Sequence, residues 1–581
     1  MRVRAASLCL FAALLLLSAC DRAREADPSA EVVESGDAIA RMNEEFRRNV
    51  YTVTEGVHVA VGFGIANSIM VEGEDCVFIV DVMGSMQTAE EVKAEFRKIT
   101  DKPIEALIYT HNHADHVMGG LAFAPDGKID VYAHETTNYY INRTISVLRP
   151  ALRVRGARMF GSHLTRPGGD QRENVGLGPF VETLDPSMTL GLIRPNKTFS
   201  DQLAAEICGV QVKLVHAPGE TNDQIFVWLP ERGVLLPGDN IYKAFPNLYS
   251  IRGTLYRDVL AWARSIDKMR ALRPTHLVPS HTRAISGERD VREALTAYRD
   301  AIQFVHDQTI QGINQGLTPD ELVETVKLPP HLSAHPYLQE YYGKVEWSVR
   351  GIFNGYLGWF DGDAAALQPP SPLERAEGIA ALAGGVENLR RAARGALDEE
   401  RFAWAAELAS HAIRVQPSSR KAKQLKAEAL RALGRREVNA NARNYYLSQA
   451  LELEGELVIR DETKPENAMS FVSTVPIGRF IAAMPANLIY EESADEDIVV
   501  GFRFPDVNEG YGIHIRRGVA EFIDRLPEDA ELTITADSEV WRELVVGIRS
   551  PLKAFAAGEV SYEGSALDLV GFLRLFRKPV D

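Results

Sequence analysis

IEALIYTHNHADHVMGG, residues 104–120, runs from an apolar stretch to a glycine pair through His111, His113, Asp115 and His116. The apolar part reads as a buried strand. His-x-His at its extended end puts two imidazoles on one side of the chain. Asp115 and His116 then turn the other way as a helix begins. A packed polar turn has no need of four ligand-type side chains at this spacing. Neutral imidazole nitrogen and carboxylate oxygen are the ligands that suit zinc without sulfur, so the turn is read as part of a metal site.

A hydrolytic metal site needs more ligands than one turn supplies. VHAPGETND (215–223) places Glu220 after a strand and a Pro-Gly turn, GVLLPGDNIY (233–242) places Asp239 after another, and THLVPSHT (275–282) places His281 after a third. Singly, Glu220 reads as a turn acid, Asp239 as a cap and His281 as a loop residue. Each also ends a strand, where loops gather on one edge of a sheet, and their joint order behind the histidine cluster points to one centre.

The chain around this pattern is too long for a single core, at 581 residues. Its formal charge of -16 and the absence of a basic stripe exclude a nucleic-acid binder. Residues 1–20, MRVRAASLCLFAALLLLSAC, have arginines before an apolar run of signal-peptide length and end in Leu17-Ser18-Ala19-Cys20. That end resembles a bacterial lipobox, which implies lipidation at Cys20 and a membrane anchor without a span. Ordinary secretion with cleavage near Ala19 is the other reading. The expectation is an exported lipoprotein on the periplasmic face of a membrane, with Asp21 favouring the inner one. Cys76 and Cys208 remain for the mature chain. The compartment permits a bridge, but spacing alone does not make their strands neighbours, so two buried free thiols are expected.

Residues 21–45 are polar and read as a tether. Short β-branched runs, then strand–helix alternation with Thr88 as a helix N-cap, indicate a layered α/β domain over 46–290. Residues 291–450 carry helical periodicity, and 400–434 look like one tetratricopeptide unit that needs a neighbouring surface. This apolar helical region also predicts a homodimer. Strand–helix alternation returns over 465–581 as a small α+β domain.

The order His111, His113, Asp115, His116, Asp239, His281 resembles the metallo-β-lactamase superfamily. PGET (218–221), with glutamate where the superfamily usually has histidine, resembles its alkylsulfatase branch, as do PNLYSIRGTLYRD (246–258) and the stretch 328–367. The resemblance implies an αββα sandwich, an all-α dimerisation domain and a C-terminal sterol-carrier-like domain. It implies two zinc ions, one held by His111, His113 and Glu220, the other by Asp115, His116 and His281, with Asp239 bridging or approaching both. Two such cations generate hydroxide at neutral pH, and Asp115 joins Arg252 as the expected catalytic pair. A sulfate monoester is anionic, and Arg252, with Arg257 as a second candidate, offers paired donors to it.

Three features depart from that branch. Asp239 stands where alkylsulfatases usually carry glutamate, TNDQIF (221–226) lacks their alanine-proline run, and Thr282-Arg283 replaces aromatic residues and proline. Hydrolysis of an anionic alkyl sulfate is the expected activity. Two alternatives remain open at this point: another hydrolysis on the same site, of a β-lactam, lactone or phosphoester, and a lipid-binding surface lipoprotein.

Overall fold

Runs such as VHVAV and VFIV are apolar at every position, which is the pattern of strands covered on both faces. In the computed structural model, which describes residues 35–577 except 145–147, 166–169 and 461–463, they are central strands of a two-sheet sandwich. The signal-like segment, Cys20 and Asp21 lie outside the described residues. In the first sheet, β1 (Asn49–Thr54), β2 (Val57–Val61), β3 (Ser68–Glu72) and β4 (Val77–Val80) form an antiparallel meander. Onto it β5 (Ile104–Ile108), β6 (Asp130–His134) and β7 (Lys197–Phe199) add in parallel. The second sheet contains β8 (Gln202–Ile207), β9 (Val210–His216), β10 (Ile225–Leu229), β11 (Val234–Leu236), β12 (His276–Leu277) and β13 (Ile285–Ser286), in the order β13-β12-β11-β10-β9-β8.

Alternation along each strand sorts the side chains. Val59, Ile69, Phe78 and Ile108 point inward and meet Leu214, Ile225, Val227 and Leu236 of the second sheet. Met70, Ile79 and Leu107 point outward and pack with Val92 and Phe96 of the helix Met86–Phe96. Ser85, not Thr88, caps that helix, its hydroxyl accepting from the Thr88 amide at 3.2 Å. On the far side Phe226 and Leu235 share a core with Trp262 and Ile266 of the helix Val259–Ala271, and with Leu295 and Tyr298 of the helix Glu288–Asn314. The result is αββα. The last of these helices runs unbroken across 290, so the sandwich and the helical region share one core rather than meeting at a linker.

The helices Val386–Asp398, Phe402–Val415 and Arg420–Arg436 pack through Ala393, Ala405, Ala409 and Ala422, small residues that let helix axes approach closely. In the C-terminal part, β14 (Asp497–Phe504), β15 (Glu509–Arg516), β16 (Val519–Ile523), β17 (Leu532–Ala536) and β18 (Val560–Glu563) form a sheet ordered β16-β15-β14-β17-β18. Phe502 and Ile534 of this sheet share a core with Ile481 and Phe572 of its helices.

Two further expectations change. The end of the supposed tether is a docked helix, Ser35–Met42, continuing into the turn Asn43–Phe46. Ile39, Met42 and Phe46 recur at helical spacing and are buried, and the Lys243 ammonium reaches Glu45 at 2.6 Å. Polar composition masked that short apolar stripe. Cys76 and Cys208 are not free thiols but a disulfide, with Cα atoms 5.3 Å apart. The β3–β4 and β8–β9 turns come together at one end of the sandwich, where the Glu74 amide donates to the Cys208 carbonyl at 3.1 Å.

The bridge spans 132 residues of sequence, a long loop whose closure restricts the unfolded chain strongly. It lies at the start of β4, the end opposite the ligand-bearing loops. Cys76→Ala with Cys208→Ala is therefore expected to lose about 2–5 kcal/mol of stability. A denaturant midpoint should fall accordingly, while activity of the folded fraction stays unchanged.

Candidate metal centre

Four strand ends bring the ligand-type side chains to one edge of the sandwich. β5 leads into His111 and His113, and the short helix Ala114–Val117 carries Asp115 and His116. Glu220 follows β9, Asp239 sits in the turn Gly238–Asn240 after β11, and His281 follows β12. Gly238 has φ +60°, and a Cβ there would lie 2.0 Å from Gln224 Nε2 and 2.9 Å from the Thr110 Cβ, so only glycine lets Asp239 approach the first sheet. Asn67 ties the two sheets together at this edge. Its amide side chain donates to the carbonyls of Pro279 at 3.1 Å and Thr282 at 2.7 Å.

Ligand atoms fall into two groups whose members lie within 4.8 Å of one another: His111, His113 and Asp239, and Asp115, His116 and His281. Asp239 Oδ2 stands between them, 3.6 Å from His111 Nε2, 3.5 Å from His116 Nε2 and 3.0 Å from His281 Nε2. Glu220, expected beside His111 and His113, instead pairs with Arg257 at 3.0 Å, leaving its Oε2 buried without a partner. His111 Nε2, His116 Nε2 and Asp239 Oδ1 are likewise buried and unpartnered. Buried polar atoms are nearly always satisfied. This concentration of orphaned imidazole and carboxylate atoms therefore fits divalent metal with nitrogen and oxygen ligands.

Burial and neighbouring charge act differently on the four rings: at His116 and His281 burial acts downward, but neighbouring carboxylates, Asp239 first, outweigh it and raise both. Burial, reinforced by His116, pushes His111 down to about 4, so its ring is neutral and its lone pair free through the physiological range. Burial, His111 and the Arg252 guanidinium lower His113 as well. For Asp115 and Asp239 burial acts upward, but neighbouring imidazoles outweigh it and hold both carboxyls below their ordinary range. Burial raises Glu220 despite the guanidinium of Arg257.

Behind the ligands lies Asp81, which the sequence reading missed. It directly follows β4 and is fully buried, with φ 59°. Its Oδ2 accepts from His116 Nδ1 at 2.8 Å, Thr110 Oγ1 at 2.9 Å and Ser280 Oγ at 2.7 Å, and its Oδ1 from the Thr110 amide at 2.8 Å. His281 Nδ1 contacts the Ile65 carbonyl at 2.7 Å. These bonds turn the outer nitrogens of both rings towards the centre. The signal for Asp81 was present: an acid directly after an apolar run, as at Asp239.

Arg252 and Arg257 have different surroundings. Arg252 lines the cavity beside the centre, its Nη2 3.4 Å from His113 Nε2. Arg155, also missed, anchors this loop by donating to the Arg252 carbonyl at 2.9 Å. Arg257 is buried and committed to Glu220 and the Asn247 carbonyl. The cavity has a volume of about 730 Å³ and a wall that includes Leu152, Phe160, Leu184 and Leu190.

The family model of the metallo-β-lactamase superfamily matches residues 61–281, alkyl sulfatase dimerisation matches 318–456, and alkyl sulfatase C-terminal matches 466–580. A linear primary-alkylsulfatase of Pseudomonas sp. (strain ATCC 19151) is 39% identical over 87% of this chain and 98% of its own length. The chain belongs to the alkylsulfatase family. An alkyl/aryl-sulfatase of Saccharomyces cerevisiae is 27% identical over 91% of the chain and 82% of its own length. The structure of a stereoselective inverting sec-alkylsulfatase from Pseudomonas sp. superposes with a TM-score of 0.84 at 25% identity. It covers 92% of this chain and 85% of that one. This alkylsulfatase-family chain thus keeps the three-part order expected from its motifs.

Asp81→Asn keeps the size of the side chain but replaces an acceptor oxygen with a donor facing Thr110, His116 or Ser280. Metal affinity, read by competition with a chelator, should fall about 10- to 100-fold, with helical content retained.

Proposed function

We propose that the chain is a zinc-dependent sulfuric ester hydrolase acting on linear alkyl sulfates, converting ROSO3⁻ and water to ROH and HSO4⁻. One observation carries this reading: His113 and Asp239 of one ligand group, Asp115 and His281 of the other, and Arg252 share the wall of a cavity whose exposed surface is mostly apolar. The names of the alkylsulfatase relatives support the same chemistry.

His111, His113 and Asp239, with the free Oε2 of Glu220, would hold one zinc. Asp115, His116 and His281 would hold the second, with Asp239 reaching both. Bound, the two ions supply hydroxide at neutral pH and neutralise charge that develops on the ester oxygen. Arg252 receives the sulfate through paired N–H donors and keeps it against the centre. Asp115, ionised and on the cavity wall, accepts a hydrogen bond from the attacking water and orients it. Arg257 balances the buried charge of Glu220, a positioning role rather than contact with the substrate. Asn112 and Asp223, joined at 2.5 Å behind His111 and His113, brace the loop.

The reading extends to assembly and location. The match to a dimerisation region supports a homodimer built on the helical part. An exported lipoprotein anchored through Cys20 is proposed from the N-terminal sequence, and the disulfide supports an oxidising compartment.

Purified protein should contain roughly two zinc equivalents per chain. Chelation should abolish release of sulfate from dodecyl sulfate, and zinc should restore it. Zinc-loaded protein that turns over a β-lactam, lactone or phosphoester but no alkyl sulfate would overturn the reading. Light scattering of a form lacking residues 1–20 should report a dimer. Arg252→Ala should keep its zinc yet lose about ten- to a hundredfold in turnover of alkyl sulfate, the worth of a charge-assisted hydrogen bond of about 1.5–3 kcal/mol. Arg252→Lys should recover part of that loss, since it restores charge without the fork.

A further inference from the structure

One side chain of the cavity wall comes from outside the sandwich. Phe471 lies on the helix Pro465–Val472, at the start of the C-terminal part, yet it lines the same cavity as Arg252 and His113. Among the described residues it is the one lining side chain that the C-terminal part contributes. It is 4% exposed and belongs to the apolar cluster that includes Met118, Ile141 and, at its margin, Leu190, all three of which also line the cavity. None of these side chains offers a strong donor, so this wall cannot hold a sulfate, whereas it suits a hydrocarbon chain.

The helix is held firmly. The Leu190 amide donates to the Asn467 carbonyl at 3.0 Å, and Asn467 Nδ2 donates to the Pro186 carbonyl at 2.9 Å. The Ser470 hydroxyl donates to the Leu190 carbonyl, and Arg194 Nε donates to Thr474 Oγ1 at 3.2 Å. These bonds fasten the helix to the segment that supplies Met188 and Leu190 to the cavity. Phe471 is therefore a fixed wall.

We propose that Phe471 is the stop that sets the longest alkyl chain the site accepts. The inference rests on the alkylsulfatase reading: with the sulfate on Arg252 at the centre, the tail runs along the apolar wall and its end meets the Phe471 ring. Each methylene taken from water into such a wall contributes a nearly constant increment, about fourfold in kcat/KM. That increment should cease where the tail reaches Phe471.

The test is a series of primary alkyl sulfates from butyl to hexadecyl, assayed below micelle-forming concentration with the zinc-loaded full-length mature protein. Ratios of kcat/KM between successive chain lengths within one variant are the readout, because they cancel the fraction of folded enzyme. Wild type should gain about fourfold per carbon up to an optimum and then level or fall. Phe471→Ala should continue the fourfold gain beyond that optimum, and Phe471→Trp should end it at shorter chains. If Phe471→Ala does not fold, Phe471→Leu, which also opens space at the ring, takes its place in the comparison. Variant profiles parallel to the wild-type profile would overturn the proposal and leave Phe471 a core residue. Absence of alkyl sulfate turnover by wild type would instead defeat the functional reading itself.

Discussion

A buried carboxylate holds the metal-side edge of this protein together. Asp81 accepts four hydrogen bonds, from Thr110, His116 and Ser280, and these donors come from loops of both sheets. A desolvated carboxylate is tolerated only when its lone pairs are met by donors. Conversely, each donor stranded by its loss would cost about 1–3 kcal/mol. The two sheets are thus fixed relative to each other where the ligands project. Asp239 and His281 on one sheet can then meet His111 and His116 on the other. Asn67 makes a second tie across the same seam.

The helical and C-terminal parts are walls of the site as well as companions of the sandwich. Tyr342 reaches the cavity from the helical region and Phe471 from the C-terminal part. Arg158, on the helix that carries Leu152 into the cavity wall, pairs with both oxygens of Glu452 at 2.8 and 2.9 Å. That helix therefore takes its position from the helical region. The sandwich alone would supply the ligands, and the helical and C-terminal parts complete the cavity wall beside them.

Legibility followed the range of the interactions. His111, His113, Asp115, His116, Asp239 and His281 could be read because each marks the end of an apolar strand, a local pattern. Glu220 was picked out by the same rule, but its commitment to Arg257 was not, since that pairing depends on how two loops fold back on each other. Asp81 obeyed the rule and was passed over because it brings no histidine with it. The disulfide stayed hidden because Cys76 and Cys208 lie in different sheets, and only the stacking of those sheets makes their turns neighbours. The helix Ser35–Met42 stayed hidden because it buries just a few side chains within a polar stretch.

By itself the sequence determined the chemistry on offer: the donor types, the strands that end in them and the family order of three parts. Those properties are written in residue identity and short periodicity. The tertiary structure alone decided which donors stand together, which arginine pairs with Glu220, and that a phenylalanine far along the chain joins the cavity wall. The reason is physical. Burial and neighbouring charge set the state of a titratable group, and packing sets the shape of a cavity. Both arise only when segments distant in sequence are pressed together.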